Sequence, residues 1–432
     1  MSTLASDTIL ARLTRGVTKA QSSEMVIRSA KKAILALITP AAVLLFVALT
    51  VQFIPFVHNA VLSLYKYVPY VICGAVLLLA WRFNRARAYF PALLLAVAYG
   101  VMQELVLVST GATADAMFAL LCLLVPANFL VYGLLVERGI FSRPGFIRFL
   151  AIVVQVAVSA LLVVYAATPL GELLYTVVST TTVLPWQQLP QLAQLVFVAA
   201  AAVLVVRVLV SHNAVEGGLV SSLVAFMLAM EHSRQSFVFI TFFSVAGLLL
   251  IITVIQDSWR MAYVDELTGL PGRRALNEQL LKLGQVYTVV MVDVDHFKKF
   301  NDTHGHDVGD QVLRYVAARL ERVGSGGKAY RYGGEEFTLL FPNRVYAECE
   351  EAIARVHRSI GESRFSLRSS GRPLTRPEKP KRGRKPAKDV KITVSAGVAT
   401  CVNGDLTPRD ALKKADKALY KAKDAGRNCI QN

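Results

Sequence analysis

Two short acidic stretches hold residue types from which chemistry can be built. "DVD" closes an apolar run at Asp293 and Asp295, and "RYGGEEF" sets Glu335 and Glu336 directly after a glycine pair. A glycine pair between strand-like segments predicts a tight hairpin. Hairpin tips normally carry Asn, Asp or Ser rather than two carboxylates pressed against an apolar run. Carboxylates brought together repel, so a cation is expected between them. Oxygen-rich sites of this kind suit Mg²⁺, which takes carboxylates, water and phosphates. Lys298, Lys423 and Arg427 supply positive charge for phosphates, and the glycines leave room for a bulky anion to reach the backbone. Metal, polyphosphate and a carboxylate base together make a set for phosphoryl or nucleotidyl transfer. The competing reading is a surface hairpin with solvated acids, and "DVD" with the downstream cations weighs against it.

The elements that must position these groups alternate. Residues 286–293 ("VYTVVMVD") read as a buried strand, and 307–323 as a helix with Leu313, Val316, Leu320 and Val323 at helical spacing. Residues 328–332 and 337–341 read as paired strands around the glycines, 344–361 as a helix, 390–400 as a strand and 408–425 as a helix. Thr407 before Pro408 is a good helix start and Gly426 a good stop. The order β-α-β-β-α-β with a mixed sheet predicts an α+β, ferredoxin-like domain. In that topology the first strand lies beside the hairpin strand, which brings Asp293 and Glu335 together.

With its motifs in order, the segment 263–430 resembles the GGDEF family of diguanylate cyclases, in the GGEEF form. The stretches that carry the resemblance are "DELTGLPGRR" (265–274), "DVDHFKKFNDTHGHDVGD" (293–310), "RYGGEEF" (331–337), "VSAGVA" (394–399) and "ADKALYKAKDAGRN" (415–428). The resemblance implies condensation of two GTP into cyclic di-GMP and two pyrophosphates. It implies that Asp293, Glu335 and the backbone carbonyl of Val294 hold Mg²⁺, with Mn²⁺ as the alternative and two ions per active site. Glu335 would also help deprotonate the attacking ribose 3′-hydroxyl, and Glu336 would support the second metal. Lys298, Lys423 and Arg427 would contact the triphosphate, and Asn301 and Asp310 would read the guanine edge with His306 nearby. A carboxylate at 310 suits guanine, which offers N–H donors where adenine offers an acceptor. One GTP per domain makes a homodimer part of the mechanism, since positioning supplies much of such catalysis.

The chain departs from the family pattern in four places. His296 stands where aromatic residues are common, and Gly272 replaces the usual Asn in "LPGRR". Many members carry an Arg-x-x-Asp motif before the signature, where product binds and inhibits; here Gly324, Ser325, Gly326 and Gly327 occupy that place, and no inhibition through it is expected. The largest departure is residues 364–391, which hold eleven Lys or Arg against Glu378 and Asp389, a surplus of nine in a formal net charge of +17. Prolines at 373, 377, 380 and 386 exclude a continuous helix there. The segment reads as a disordered basic insertion, either a solvated spacer or a contact for anionic lipid headgroups. Nucleic acid is not expected as a partner, because beyond Phe365 no aromatic residues interleave with the charges.

The remaining chain is of another class. Of 432 residues 54% are hydrophobic, yet 257–432 are polar and charged, so the apolar share concentrates before residue 257. Runs at 33–54, 66–81, 88–108, 116–136, 149–167, 193–210, 214–230 and 237–256 approach the roughly 20 apolar residues a spanning helix needs. They predict an all-α polytopic membrane bundle of about eight spans, the seventh weakest because it starts with Glu216 and two glycines. Basic residues fill the N-terminal segment, the loop 82–87 and the loop 137–148, while alternate loops hold only Lys66 and Arg234. Basic loops stay cytoplasmic, so both termini are expected in the cytoplasm of a bacterial inner-membrane protein. Residues 1–32 are polar and basic without the apolar core of a secretory signal. Glu104, inside the third run, is either functional or placed near the outer end, reaching water. The five cysteines, none in a CxxC pair, read as free thiols in a reducing compartment.

The expected organisation is therefore a cytoplasmic segment 1–32, a membrane domain 33–256, a short signalling helix 257–264 and a cyclase domain 265–432. Ile252, Ile255, Trp259 and Ala262 are spaced as a short coiled-coil seam. Two rivals to a membrane-bound, membrane-regulated cyclase are a catalytically inactive nucleotide-binding relay and a transporter with a regulatory nucleotide domain. All the signature acids are present, which favours the enzyme.

Overall fold

The computed structural model describes residues 42–47, 49–50, 64–108, 111–164, 188–211, 213–366 and 389–432. The chain divides into two compact units, Met1–Ser258 and Trp259–Asn432.

The first unit is helical throughout its described residues: α1 (Val68–Arg82), α2 (Ala86–Val101) running into a π-helical turn (Met102–Val106), α3 (Ala112–Leu134), α4 (Arg143–Val164), α5 (Gln191–Ser211), α6 (Ala214–Glu231) and α7 (Ser236–Tyr263), whose last turn crosses the division between units. Among the described residues six helices are long and apolar enough to cross a membrane, and α1 is a shorter apolar one. The run 33–54 and the outer loop 168–192 lie largely outside the described residues, so the count of eight rests on composition. The span doubted for Glu216 is a well-formed, mostly buried helix. Glu216 is buried at its first turn, and Arg87 (3.0 Å) and Arg207 (2.8 Å) pair with it. An unpaired carboxylate could not stay charged there. Both basic loops lie together, with Asn84 Oδ1 accepting from the Ile140 N–H at 2.9 Å. Glu104 is exposed on the π-helical turn, and α7 continues without a break through the expected signalling helix 257–264.

The second unit is α+β. Its elements are α8 (Arg273–Leu280), β1 (Tyr287–Val294), α9 (Phe297–His304), α10 (His306–Leu320), β2 (Lys328–Arg331), β3 (Glu336–Pro342), α11 (Tyr346–Glu362), β4 (Arg364–Ser366), β5 (Asp389–Lys391), β6 (Val394–Cys401), α12 (Pro408–Asp424) and β7 (Ile430–Gln431). The main sheet has the order β2-β3-β1-β6-β7. Its first four strands pair antiparallel, in the ferredoxin-like arrangement; only β7, which the sequence did not suggest, pairs parallel, with β6. β1 is buried over its whole length, as a central strand covered on both faces must be. One face packs α10 and α11 through Val316, Leu320, Ile353 and Ile360, and the other packs α12 through Ala411, Ala415 and Leu419.

Three boundaries differ from the sequence reading. The strand expected over 390–400 is two strands interrupted at Ile392 and Thr393: β5 pairs with β4, and β6 pairs with β1. The ends of the basic segment 364–391 are therefore ordered as a two-stranded ladder, while 367–388 lie outside the described residues. The glycine pair does not form a two-residue turn either. Residues 332–335 bridge β2 and β3, closed by the Tyr332 N–H (2.9 Å) and Gly333 N–H (3.2 Å) donating to the Glu336 carbonyl. Neither Gly333 nor Gly334 has positive φ. Torsion therefore does not demand glycine at either position, and the space a side chain would take at Gly334 is open, with nothing within 4 Å.

Candidate active site

The acids converge as the topology predicted. Asp293 stands opposite Glu336 in the β1–β3 register, and the Val294 N–H donates to the Glu335 carbonyl at 3.4 Å. Asp293 is 5% exposed and pairs with Lys423 Nζ at 3.0 Å. Burial raises the pKa of Asp293, Lys423 partly offsets this, and Asp295 adds to the rise. Burial also raises Glu335 and Glu336, and Asp293 pushes both further. The three carboxylates thus share one electrostatic field, with more negative charge than Lys423 alone balances.

Asp295, two residues on, does something else. Its carboxylate accepts from Thr393 Oγ1 (2.7 Å), Ser395 Oγ (2.6 Å) and the Asn428 N–H (3.1 Å). It fastens the end of β1 to the start of β6 and to the turn after α12, the turn that carries Arg427. Arg427 and Asn428 both have positive φ, so this turn holds a tight local conformation beside the acids.

The remaining residues expected at the site lie on α9 and α10. Lys298 is exposed on α9, His306 is exposed at the start of α10, and Asp310 is half-buried one turn later. Asn301 is wedged against Gly309: a Cβ at 309 would clash with Asn301 Oδ1. That amide oxygen is buried without a hydrogen-bond partner among the described residues. A buried acceptor without a partner is costly, and the N–H of a bound base is the kind of group that satisfies it. The structure thus brings Asp293, Val294, Glu335, Glu336 and Lys423 together, with Arg427 felt electrostatically at Asp293. It places Lys298, Asn301, His306 and Asp310 on the two helices that come after β1.

Sequence reasoning missed one device. Arg331 Nη1 donates to both carboxylate oxygens of Asp265 (2.8 and 2.9 Å), and its other guanidinium nitrogens donate to the carbonyls of Gly333 (3.2 Å) and Gly334 (2.7 Å). One arginine therefore grips the glycine turn and ties it to the segment entering the domain. Burial works against a charged Asp265, but Thr268 and Arg331 outweigh it and hold its carboxyl below the usual range. The residue types lay within the motifs "DELTG" and "RYGG", but nothing in their spacing said that they meet. A cavity of about 410 Å³ opens beside this turn, lined by Tyr263, Arg273 and Tyr332 as well as the two glycines.

A divalent cation fits the acidic cluster on donor chemistry. Among the described residues no three His, Cys, Asp or Glu side chains form a metal cage. Two carboxylates with a backbone carbonyl still suit an ion that keeps several waters and takes substrate phosphates as ligands. The mutual repulsion of Asp293, Glu335 and Glu336 is what such an ion would relieve.

Residues 262–377 and 378–429 match the family described as the GGDEF domain of diguanylate cyclases, so the match lies within the second unit. Among curated proteins it is 36% identical over 185 residues to the response regulator PleD of Caulobacter vibrioides, covering 41% of this chain and 37% of that one. It is 37% identical over 173 residues to the diguanylate cyclase VdcA of Vibrio cholerae, covering 39% of this chain and 46% of that one. The chain thus spans less than half of the length of these relatives. Among solved structures, the coiled coil and GGDEF domain of DgcB from Caulobacter crescentus, in complex with c-di-GMP, aligns at 30% identity with a TM-score of 0.37. That alignment covers 42% of this chain and 91% of that one.

Proposed function

We propose that the protein is a membrane-bound diguanylate cyclase that condenses two GTP into cyclic di-GMP and two pyrophosphates, under the control of its membrane unit. The observation that carries this reading is the convergence of Asp293, Glu335 and Glu336 at the β1–β3 end with Lys423 beside them. The family match supports it: the matched residues are those that would do the work.

In this reading Asp293, Glu335 and the Val294 carbonyl hold the divalent ion, Mg²⁺ or Mn²⁺, with Glu336 supporting a second. The metal supplies charge neutralisation at the phosphates and makes the attacking hydroxyl more acidic. Glu335, its pKa raised by burial and by Asp293, accepts the proton of the ribose 3′-hydroxyl; a carboxylate with raised pKa is a better base near neutral pH. Lys423, Arg427 and Lys298 bind the triphosphate and hold the leaving pyrophosphate. Asn301 and Asp310 accept from the guanine N–H groups, with His306 at the rim. Each domain positions one GTP, so two copies face each other and each 3′-hydroxyl attacks the partner's α-phosphate. Ile255 and Trp259, more than half exposed and four residues apart on α7, offer an apolar strip on which two copies of that helix would align. Six membrane-length helices and the clustered basic loops support an inner-membrane location with both termini in the cytoplasm.

The test is to incubate the purified full chain with GTP and Mg²⁺ and to identify the product by mass spectrometry. Glu335→Gln keeps the shape and removes the charge. It should slow cyclic di-GMP formation by about 10²-fold or more, the usual loss for a principal acid–base or electrostatic group. Near-wild-type output from this variant would refute the assignment.

A further inference from the structure

A cavity of about 400 Å³ opens in the first unit, where the α1–α2 turn meets the α3–α4 connection. Trp81, Arg82, Asn84, Arg138, Phe141 and Ser142 line it. Its walls are tied together. Asn84 Oδ1 holds the Ile140 N–H, and the Glu137 carboxylate accepts from the N–H groups of Ala86 (2.9 Å) and Arg87 (3.1 Å). Ser142 Oγ donates to the Gly139 carbonyl at 2.9 Å and accepts from the Gly145 N–H at 3.1 Å. Glu137 is thereby engaged at the start of α2.

The neighbouring basic groups are engaged as well: Arg85 with Asp257 (3.2 Å), Arg87 with Glu216 (3.0 Å), and Arg148 with the Val136 carbonyl (2.9 Å). Arg82 and Arg138, the two cations that line the cavity, have no carboxylate partner among the described residues, and no acid lines it. The pocket is therefore positive and complementary to an anion. Beside it Trp81 is 51% exposed and Phe141 84% exposed. Aromatic rings at the ends of apolar membrane helices sit at headgroup level, and Trp81 is in the last turn of α1.

We propose that this cavity binds the phosphate of an anionic phospholipid headgroup, with Arg82 and Arg138 as its ligands and Trp81 and Phe141 against the glycerol and the first methylenes. Guanidinium forks match phosphate oxygens, and the aromatic rings select a phosphate that carries acyl chains over a free one. The site rests on the membrane reading of the first unit, and its neighbour Arg85 contacts α7, the helix that leaves this unit.

The experiment uses the full chain in neutral detergent, offered phosphatidylglycerol or phosphatidylcholine and examined by native mass spectrometry for retained lipid. The wild type should keep phosphatidylglycerol in preference to phosphatidylcholine. Arg82→Gln with Arg138→Gln should reduce that retention about tenfold or more. Arg82→Lys with Arg138→Lys should keep most of it, and Arg143→Gln, outside the cavity, should leave it unchanged. Equal retention by the double Gln variant and the wild type overturns the site. Occupancy by inorganic phosphate or glycerol phosphate with no retention of phosphatidylglycerol overturns the lipid source. A chain released from membranes by alkaline wash without detergent refutes the membrane reading itself. A chain that needs detergent, yet keeps lipid without its two arginines, refutes the site alone.

Discussion

Asp293 and Asp295 leave one strand end two residues apart and have separate tasks. Asp293 is buried with Lys423 and pushed toward protonation, whereas Asp295 accepts three hydrogen bonds and fastens β6 and the Arg427 turn in place. "DVD" names two acids in sequence; which of them is tied down by hydrogen bonds is decided by Thr393, Ser395 and Asn428, far along the chain and invisible to spacing. Asn301 shows the same limit. Its type was legible, but its position depends on Gly309, whose missing side chain leaves room for the amide. Gly309→Ala should displace Asn301 and weaken guanine recognition. Steady-state kinetics should show the KM for GTP raised about tenfold or more, with a smaller change in kcat, as expected when a group that reads a base edge is moved. An unchanged KM would mean that Asn301 does not contact the base.

The glycine turn between β2 and β3 is held from outside by a side chain, and the ion pair of Arg331 with Asp265 is its anchor. Asp265→Asn should loosen the turn by about 1–3 kcal/mol, the cost of removing one partner from a partly buried charged hydrogen bond. Hydrogen exchange of the full chain should show this as faster exchange over 328–337 at neutral pH. The sign with pH comes from the depressed pKa of Asp265. Its stabilisation is complete above the unfolded value and fades as pH falls through the folded one. The difference between wild type and Asp265→Asn should therefore be constant from pH 5 to 8 and shrink below about pH 4. β1 was readable as an unbroken apolar run between turn signals, and α10 from apolar residues at helical spacing. Helices α8 and α9, eight residues each, were not, because two turns give too little periodicity. The turn replacing Arg-x-x-Asp has positive φ at Gly324, Ser325 and Gly326, a backbone that an Arg and Asp pair would not readily adopt.

The helix α7 runs for 28 residues, about 42 Å at 1.5 Å per residue, longer than the roughly 30 Å hydrocarbon layer. Its far end carries Ile255 and Trp259 outward. A rigid helix transmits rotation, so inserting alanines after Ile255 should change cyclase activity with helical phase. One residue turns the downstream part of the helix by about 100° and seven nearly restore the face. Equal activity across one to seven insertions would mark the first unit as a passive anchor. At this scale the sequence displayed the apolar runs and the basic loops, because hydropathy and charge are local properties. It ranked α6 as the weakest span, and α6 is the shortest of the six membrane-length helices; the arginine partners of its Glu216 come from other helices and could not be read from the sequence. The β4–β5 ladder carries a last consequence. Ser366 faces Asp389, so the basic insertion leaves and rejoins the domain through a neck one residue pair wide. The entropic cost of closing a loop grows by about 0.6 kcal/mol for each doubling of its length. Melting curves of variants with a longer or shorter segment between Ser366 and Asp389 should therefore differ by increments of that size.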